Sequence, residues 1–485
     1  MAAKPVEPKP HKLWIPHQYQ RTAINFLHER TSLSPEGKGG GGLLLDPGLG
    51  KTSTCLEYMN QMKEFGLANR WLVVAPLRVV YGVWPEQIQE WTNFRGLSYS
   101  IIHGSPAVRR KRMSLQTNLH LINREGIPWL AKQCEGRKIL PWQGIIVDES
   151  TSFKNWSAAR SKALRKLIPR IPYRVILTGT PAPKNLADLF GQMWLLDEGE
   201  ALGTNISRFR ENYCVQVGER NLNNFEVRGD LASTIQEKIK PLSLRLDAAD
   251  YLSMPPIVYN PVRCEMPPKA MAEYNEMEKQ MFLALSDGSG REAINAAAKY
   301  SACRQIANGG IYGSDRTMHH LHDTKTDAVL ELIDELGGKP LLIAFQFGHD
   351  LDRLKQRIKG LHVIQGGMKN SDVQSILDRW NTDTLDPPYL AVQPQALSFG
   401  INAQKGSCRD VAWYGPSDSL ETIIQFNARI YRQGVGSAVR IHQLYCQDTV
   451  DELVWSRLAE KRDVQDNLLE VLREYAQRKC SKRSV

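Results

Sequence analysis

The segment LLLDPGLGKTS, residues 43–53, carries the clearest chemistry in the chain. Apolar residues run into a glycine-rich turn, then Lys51 and Thr52, then a helix expected from Ser53. A row of phosphates needs many donors at short range. Gly48 and Gly50 let backbone N–H groups approach, and a new helix presents unpaired N–H groups to the anion. In such a loop Lys51 reaches the β- and γ-phosphates of ATP, and the Thr52 hydroxyl ligates Mg2+. The long form of the pattern, GxxxxGK[ST], has glycine where this chain has Leu45, so the motif present is the shortened GxGKT.

GIIVDESTSFKN, residues 144–155, is the second signal: an apolar strand delivering two acids at its tip. Asp148 suits the water shell of Mg2+, and Glu149 suits the orientation and deprotonation of an attacking water. ILTGTPAPKNLADLF, residues 176–190, ends a strand in Thr178, Gly179, Thr180 and Pro181, small groups able to sense a phosphate. QFNARIYRQG, residues 425–434, places Gln425, Arg429 and Arg432 on one face if it is helical. Two such arginines are either ordinary surface charges or a pair of arginine fingers for a γ-phosphate.

Positioning these residues requires strands that end where the chemistry begins. Short unbroken apolar runs recur at 43–45, 71–75, 100–102, 119–122, 145–147 and 175–177. They recur again at 341–345, 362–364, 390–392, 411–413 and 439–444. Runs of this kind are parallel strands buried on both faces, and alternation with helical patterns predicts two α/β sheets. Residues 201–320 differ: Lys269–Leu285 and Arg291–Ile306 show helical spacing, so a helical region is expected between the lobes. The run Gly39–Gly42 reads as a flexible loop entering the first strand. Leu468, Leu469, Val471, Leu472 and Tyr475 suggest a packed terminal helix before a basic tail.

Composition narrows the class without naming it. With 485 residues, 42% hydrophobic and 24% charged, the chain is too long and too apolar to be disordered or a disulfide scaffold. A net charge of +10 agrees with a polyanionic partner but is a modest field over this length. The eight cysteines form no CxxC pair, and no export signal or long apolar stretch is seen, which predicts a cytoplasmic protein. His319, His320 and His322 read as a polar loop in preference to a metal site.

Taken in order, the motifs resemble superfamily 2 helicases and translocases, and within them the Swi/Snf-like branch, from about residue 13 to 460. YQRTAINFL (19–27) is similar to the adenine-recognising segment, which implies Gln20 on the base. VVAPLRVVYGVW (73–84) resembles motif Ia, LINRE (121–125) motif Ib, LIAFQF (342–347) motif IV and ALSFGINAQ (396–404) motif V. On that likeness Pro76, Arg78, Asn123, Gln346 and Ser398 are candidate nucleic-acid contacts, and Gln425, Arg429 and Arg432 complete the ATP site. LSLRLDAADYLSMPP (242–256) resembles the segment joining the lobes. Asp-Glu-Ser-Thr departs from the usual Ala-Asp or Ala-His ending, which puts Thr151 in place of a side chain that couples ATP to motif III. DESTSFKN itself looks like compact phage and bacterial members of the branch.

The resemblance implies two RecA-like P-loop lobes, 1–200 and 321–485, with a helical insertion at 201–320. It implies ATP and Mg2+ as cofactors, hydrolysis through Lys51, Glu149, Arg429 and Arg432, and movement along duplex DNA. RNA stays open as a partner, a monomer suffices, and the expected setting is a bacterial cell or a phage-infected host. The basic run Arg109–Arg112 is either a phosphate contact or a solvated face. The alternatives are a strand-separating DNA or RNA helicase and a nucleotide-binding scaffold that does not hydrolyse.

Overall fold

The computed structural model describes residues 12–32, 39–179, 186–216, 225–251, 255–285, 292–313, 315, 317–397, 403–431 and 435–459. They form two compact units, one of the described residues up to 251, the other of those from 255 onward. The amphipathic stretch and basic tail expected near the C-terminus lie outside the described residues.

The first unit is built on a seven-stranded sheet. In chain order its strands are β1 (Gly39–Leu45), β2 (Trp71–Ala75), β3 (Tyr99–Ile101), β4 (Leu119–Asn123), β5 (Gly144–Asp148) and β6 (Tyr173–Thr178). A short antiparallel hairpin of β7 (Cys214–Gln216) and β8 (Phe225–Val227) follows, and β9 (Ser243–Leu246) completes the sheet. Its order is β3-β4-β2-β5-β6-β1-β9, and every pairing is parallel. Alternate side chains feed two cores. Val73 and Ile146 pack on one face, with helices Gln18–Ser32 and Lys51–Glu64, while Leu72, Val74 and Ile145 pack on the other. Burial of both faces is why these strands read as unbroken apolar runs.

Gly39–Gly42 forms the first part of strand β1 and is not a loop, contrary to expectation. Register with β6 starts at Gly39–Tyr173, and a Cβ on Gly41 would lie 2.5 Å from the Phe26 ring. Glycine brings helix Gln18–Ser32 close to the strand, a packing demand that composition presents as flexibility.

The second unit has a six-stranded parallel sheet of order β10-β17-β16-β13-β15-β14. The strands are β10 (Ile257–Cys264), β13 (Leu341–Ala344), β14 (His362–Ile364), β15 (Tyr389–Val392), β16 (Asp410–Trp413) and β17 (Val439–Cys446). A separate hairpin joins β11 (Gly310–Tyr312) to β12 (Met318–His320). The architecture is thus α/β with two parallel sheets, as expected.

Residues 201–320 are apportioned between the units and are only partly helical. Helices Pro268–Leu285 and Glu292–Ala307 form as predicted, linked by Lys299 Nζ donating to Gln280 Oε1 at 2.9 Å. Strands β9 and β10 were hidden because they lack apolar runs: β10 is mostly exposed and carries Pro261, tolerable only on an edge strand. His319 and His320 lie on β12 and not in a loop, while His322, in the loop that follows, is buried against the Ile306 carbonyl. No described helix is long and apolar enough to cross a membrane.

Candidate functional site

Sheet order arranges the motifs along the carboxyl edge of the first unit. Across β4-β2-β5-β6-β1 the strands end in Asn123, Ala75 before Pro76, Asp148, Thr178 and Leu45. Ligands of parallel α/β sheets bind at this edge.

Leu45 sits where the long phosphate-loop pattern has glycine because it is still strand: its side chain is in the core and its carbonyl accepts from Lys51 Nζ at 2.7 Å. Gly48 and Gly50 follow with φ of 96° and 71°, conformations that cost a side-chain-bearing residue energy. A Cβ on Gly50 would meet Gln20 Nε2 at 2.4 Å. Gln20 is buried here, accepting from His17 N at 2.9 Å and donating to the Leu49 carbonyl at 3.3 Å. Thr52 lies half-buried in the first turn of helix Lys51–Glu64, and the Ser53 and Thr54 hydroxyls hold the Gly50 carbonyl, each at 3.0 Å.

Asp148 and Glu149 stand beside this loop, one strand away across β6. Burial raises the Asp148 carboxyl to about 6, and the adjacent Glu149 charge adds to the rise; Trp84 and Lys51 oppose it. The buried Trp84 indole donates to Asp148 Oδ2 at 3.0 Å. The Asp148 carboxyl and the Thr52 hydroxyl are oxygen donors of the kind a hard divalent cation takes. Glu149 has a left-handed backbone, φ 59° and ψ 60°, unusual for a residue with a side chain. Its Oε1 accepts from Thr151 Oγ1 at 3.2 Å and from Thr178 Oγ1 at 3.4 Å. Thr151, the departure from the usual motif, therefore touches the acid directly, and the strand tip of β6 touches it too.

Pro76 caps the short helix Leu77–Tyr81, which carries Arg78. Burial lowers the Arg78 pKa. Asn123 is 6% exposed, its Nδ2 on Glu125 Oε2 at 3.0 Å and its Oδ1 buried without a partner. Arg124 NH1 donates to Ser152 Oγ at 2.7 Å. Helix Pro106–Met113 displays the basic run: Arg109 and Arg112 bond back to carbonyls of residues 101–104, while Arg110 and Lys111 are exposed.

In the second unit Gln346 follows β13, and its backbone N–H donates to Asp350 Oδ2 at 3.2 Å. Gln425 lies in helix Leu420–Asn427 and donates to Glu421 Oε1 at 2.9 Å. That helix ends before Arg429, so the single helical face expected for Gln425 and Arg429 does not form. Arg429 sits in the following turn, its carbonyl accepting from Ala403 N at 3.1 Å. Ser398, Arg432, Thr180 and Pro181 lie outside the described residues.

Motif reading missed Trp84, Arg124 and Ser152. All three fall inside quoted segments, but a tryptophan donor, an arginine fork or a serine hydroxyl announces its partner only in three dimensions.

Residues 19–308 match the family described as SNF2-related domain. A protein of Acyrthosiphon pisum secondary endosymbiont phage 1, "Putative protein p41", is 32% identical over 477 residues, covering 95% of this chain and 99% of the relative. "DNA excision repair protein ERCC-6-like" of Danio rerio is 29% identical over 48% of this chain, and human "Chromodomain-helicase-DNA-binding protein 8" is 23% identical over 85%. The matched regions are 16% and 17% of those two proteins. The solved "Sulfolobus solfataricus SWI2/SNF2 ATPase core in complex with dsDNA" covers 94% of this chain and 93% of its own, at 20% identity and a TM-score of 0.44.

Proposed function

The chain belongs to the SNF2-related family, and from that premise we propose that it is a DNA-dependent ATPase that moves along duplex DNA. The observation that carries this reading is the meeting, in one unit, of Lys51, Asp148 and a Glu149 carboxylate held by two hydroxyls.

In this reading Lys51 binds the β- and γ-phosphates, and the buried Gln20 presents its carboxamide to the adenine. Thr52 and Asp148 are the residues that would hold Mg2+, which supplies positive charge against the phosphates when bound. Glu149 orients a water and takes its proton as the water oxygen bonds to the γ-phosphorus and the bond to the ADP oxygen breaks. Thr151 and Thr178 fix the carboxylate that receives that proton. Arg429 and Arg432 stabilise charge on the transferred phosphoryl group, and Gln425 lies beside them in sequence.

Pro76, Arg78, Asn123, Gln346 and Ser398 contact nucleic acid, and the exposed Arg110 and Lys111 contribute phosphate contacts. The DNA-related names of the repair and chromodomain relatives support duplex DNA as the track. The phage relative, alike over nearly its whole length, supports a bacterial cytoplasm during phage infection as the setting.

The test is ATP turnover with double-stranded DNA, single-stranded DNA or RNA, each across a salt series. Duplex DNA should stimulate most, with affinity falling steeply as salt rises. Displacement of the third strand from a triplex without unwinding of a duplex identifies translocation. Absence of stimulation by any nucleic acid would sink the motor reading.

A further inference from the structure

The turn after Glu149 joins that carboxylate to the loop at the tip of β4. Segment Ser150–Phe153 is a single tight turn, and each of its residues is anchored. Ser150 Oγ donates to Gln192 Oε1 at 2.7 Å, Thr151 Oγ1 reaches Glu149, and Phe153 is buried in the core. Ser152 makes contacts in three directions. Its backbone N–H donates to the Glu149 carbonyl at 3.0 Å, its carbonyl accepts from Arg160 Nε at 2.9 Å, and its hydroxyl accepts from Arg124 NH1 at 2.7 Å.

Geometry makes the Arg124 contact unusual. β4 and β5 are not neighbours: β2 lies between them, so the two tips are separated by about 10 Å. The Arg124 guanidinium spans that gap to reach the Ser152 hydroxyl. It also pairs with Glu125 Oε1 at 2.7 Å, so the loop Asn123–Glu125 and the turn 150–153 are tied through one side chain. Beyond the tie stands a residue in a strained conformation. A left-handed backbone on a side-chain-bearing residue costs about 1–2 kcal/mol and persists only when its surroundings hold it. The Ser152 N–H on the Glu149 carbonyl is one of those holds.

We propose that Ser152 is the positioning residue through which the Asn123–Glu125 loop, on binding nucleic acid, sets the catalytic pose of Glu149. Its backbone N–H maintains the acid, and its hydroxyl reports the position of Arg124. Thr151 and Ser152 thus take over, through hydroxyls, the coupling that the missing Ala-Asp or Ala-His ending would supply. The proposal rests on the reading of the chain as a DNA-stimulated ATPase.

Ser152→Ala separates the two roles, because it keeps the N–H and removes only the link to Arg124. At saturating duplex DNA the stimulation of turnover should fall about tenfold, the worth of one hydrogen bond to a charged group. Turnover without DNA and KM for ATP should stay within experimental error of the parent, and Ser152→Thr should restore stimulation. If Ser152→Ala does not fold, Arg124→Met breaks the same bond from its other end and should show the same loss at saturating DNA. Full stimulation in the variant overturns the proposal. An equal loss of basal and stimulated turnover overturns it as well, since that is what a merely structural serine would give. A parent protein that no nucleic acid stimulates instead refutes the motor reading on which the proposal stands.

Discussion

The two sheets treat charge in opposite ways. At the carboxyl edge of the first, Asp148 and Glu149 stand side by side with like charge, and burial and that neighbour raise Asp148 to about 6. In the second unit Asn308, Lys325, Asp350, Arg353 and Asp451 are each at most 3% exposed, yet opposite charges meet. Lys325 Nζ lies 2.5 Å from Asp451 Oδ2 and 2.7 Å from Asn308 Oδ1, and Asn308 Nδ2 donates to Asp350 Oδ2 at 2.9 Å. Arg353 pairs with Asp350 at 3.3 Å, and Asp350 also receives the Gln346 and Phe347 backbone N–H groups. Burial would push the Lys325 pKa down, but Asp451 more than offsets it. The first arrangement is electrostatically unfinished and suits a cation that arrives with its ligand. The second is compensated from within and holds the motif IV loop in shape.

Two substitutions break this contrast most forcefully. Glu149→Gln should cut ATP turnover about 10²- to 10⁴-fold, the usual contribution of a positioned general base, while nucleotide still binds. Its denaturation midpoint should barely move, because the acid serves chemistry and not the fold. Lys325→Met should do the reverse: about 3–5 kcal/mol of second-unit stability lost, the cost of stranding a buried partner charge, read by urea denaturation. A stable Lys325→Met protein would show that the buried network is ornamental.

How much of this was legible in the sequence follows from the same physics. The doubly buried strands declared themselves: β2 and β14 fall on the predicted residues, since an unbroken apolar run has few other uses. The glycine half of β1, ahead of the predicted run 43–45, and edge strand β10 did not, because close packing and a single hydrogen-bonded neighbour leave no apolar signature. Lys51, Asp148 and Glu149 were readable because their chemistry demands a local order of residue types. Trp84 lies 64 residues from Asp148 and Arg124 lies 28 from Ser152, and those pairings depend on sheet order, which spacing does not encode.

A pH series sharpens the second unit's side of the comparison. His322 is buried, its Nε2 on the Ile306 carbonyl at 2.9 Å and its Nδ1 accepting from Thr324 N at 3.4 Å, so both nitrogens serve the neutral ring. Burial drives its pKa down to about 4, opposed by the Ile306 bond and reinforced by Lys325, Arg353 and His320. Between that value and the ordinary one near 6.5, the unfolded chain binds a proton that the folded one refuses. Stability is therefore whole above that range and is lost as pH falls through it, by roughly 2 kcal/mol at pH 5. His322→Gln should flatten this dependence in urea titrations at pH 7.5 and pH 5. An unchanged slope would locate the acid sensitivity elsewhere.

The smallest expected effect probes the unfinished side. Trp84 supplies an indole donor to Asp148, and that bond holds the carboxyl in its charged form against burial and against Glu149. Trp84→Phe keeps a ring in the buried pocket and removes the donor. The Asp148 pKa should then climb further, and a cation must compete with a proton for the same oxygen. Loss of a charge-assisted hydrogen bond of about 1.5 kcal/mol corresponds to about tenfold weaker Mg2+ dependence of nucleotide binding at pH 7. Calorimetric Mg2+ titrations of ATP binding measure it, and the deficit should shrink as pH rises, because removing the competing proton restores the carboxylate. A deficit that is independent of pH would mean that the lost ring area, and not the donor, matters. Unchanged Mg2+ dependence would separate Asp148 from the cation altogether and erase the distinction between a sheet edge left open for a ligand and one closed by its own charges.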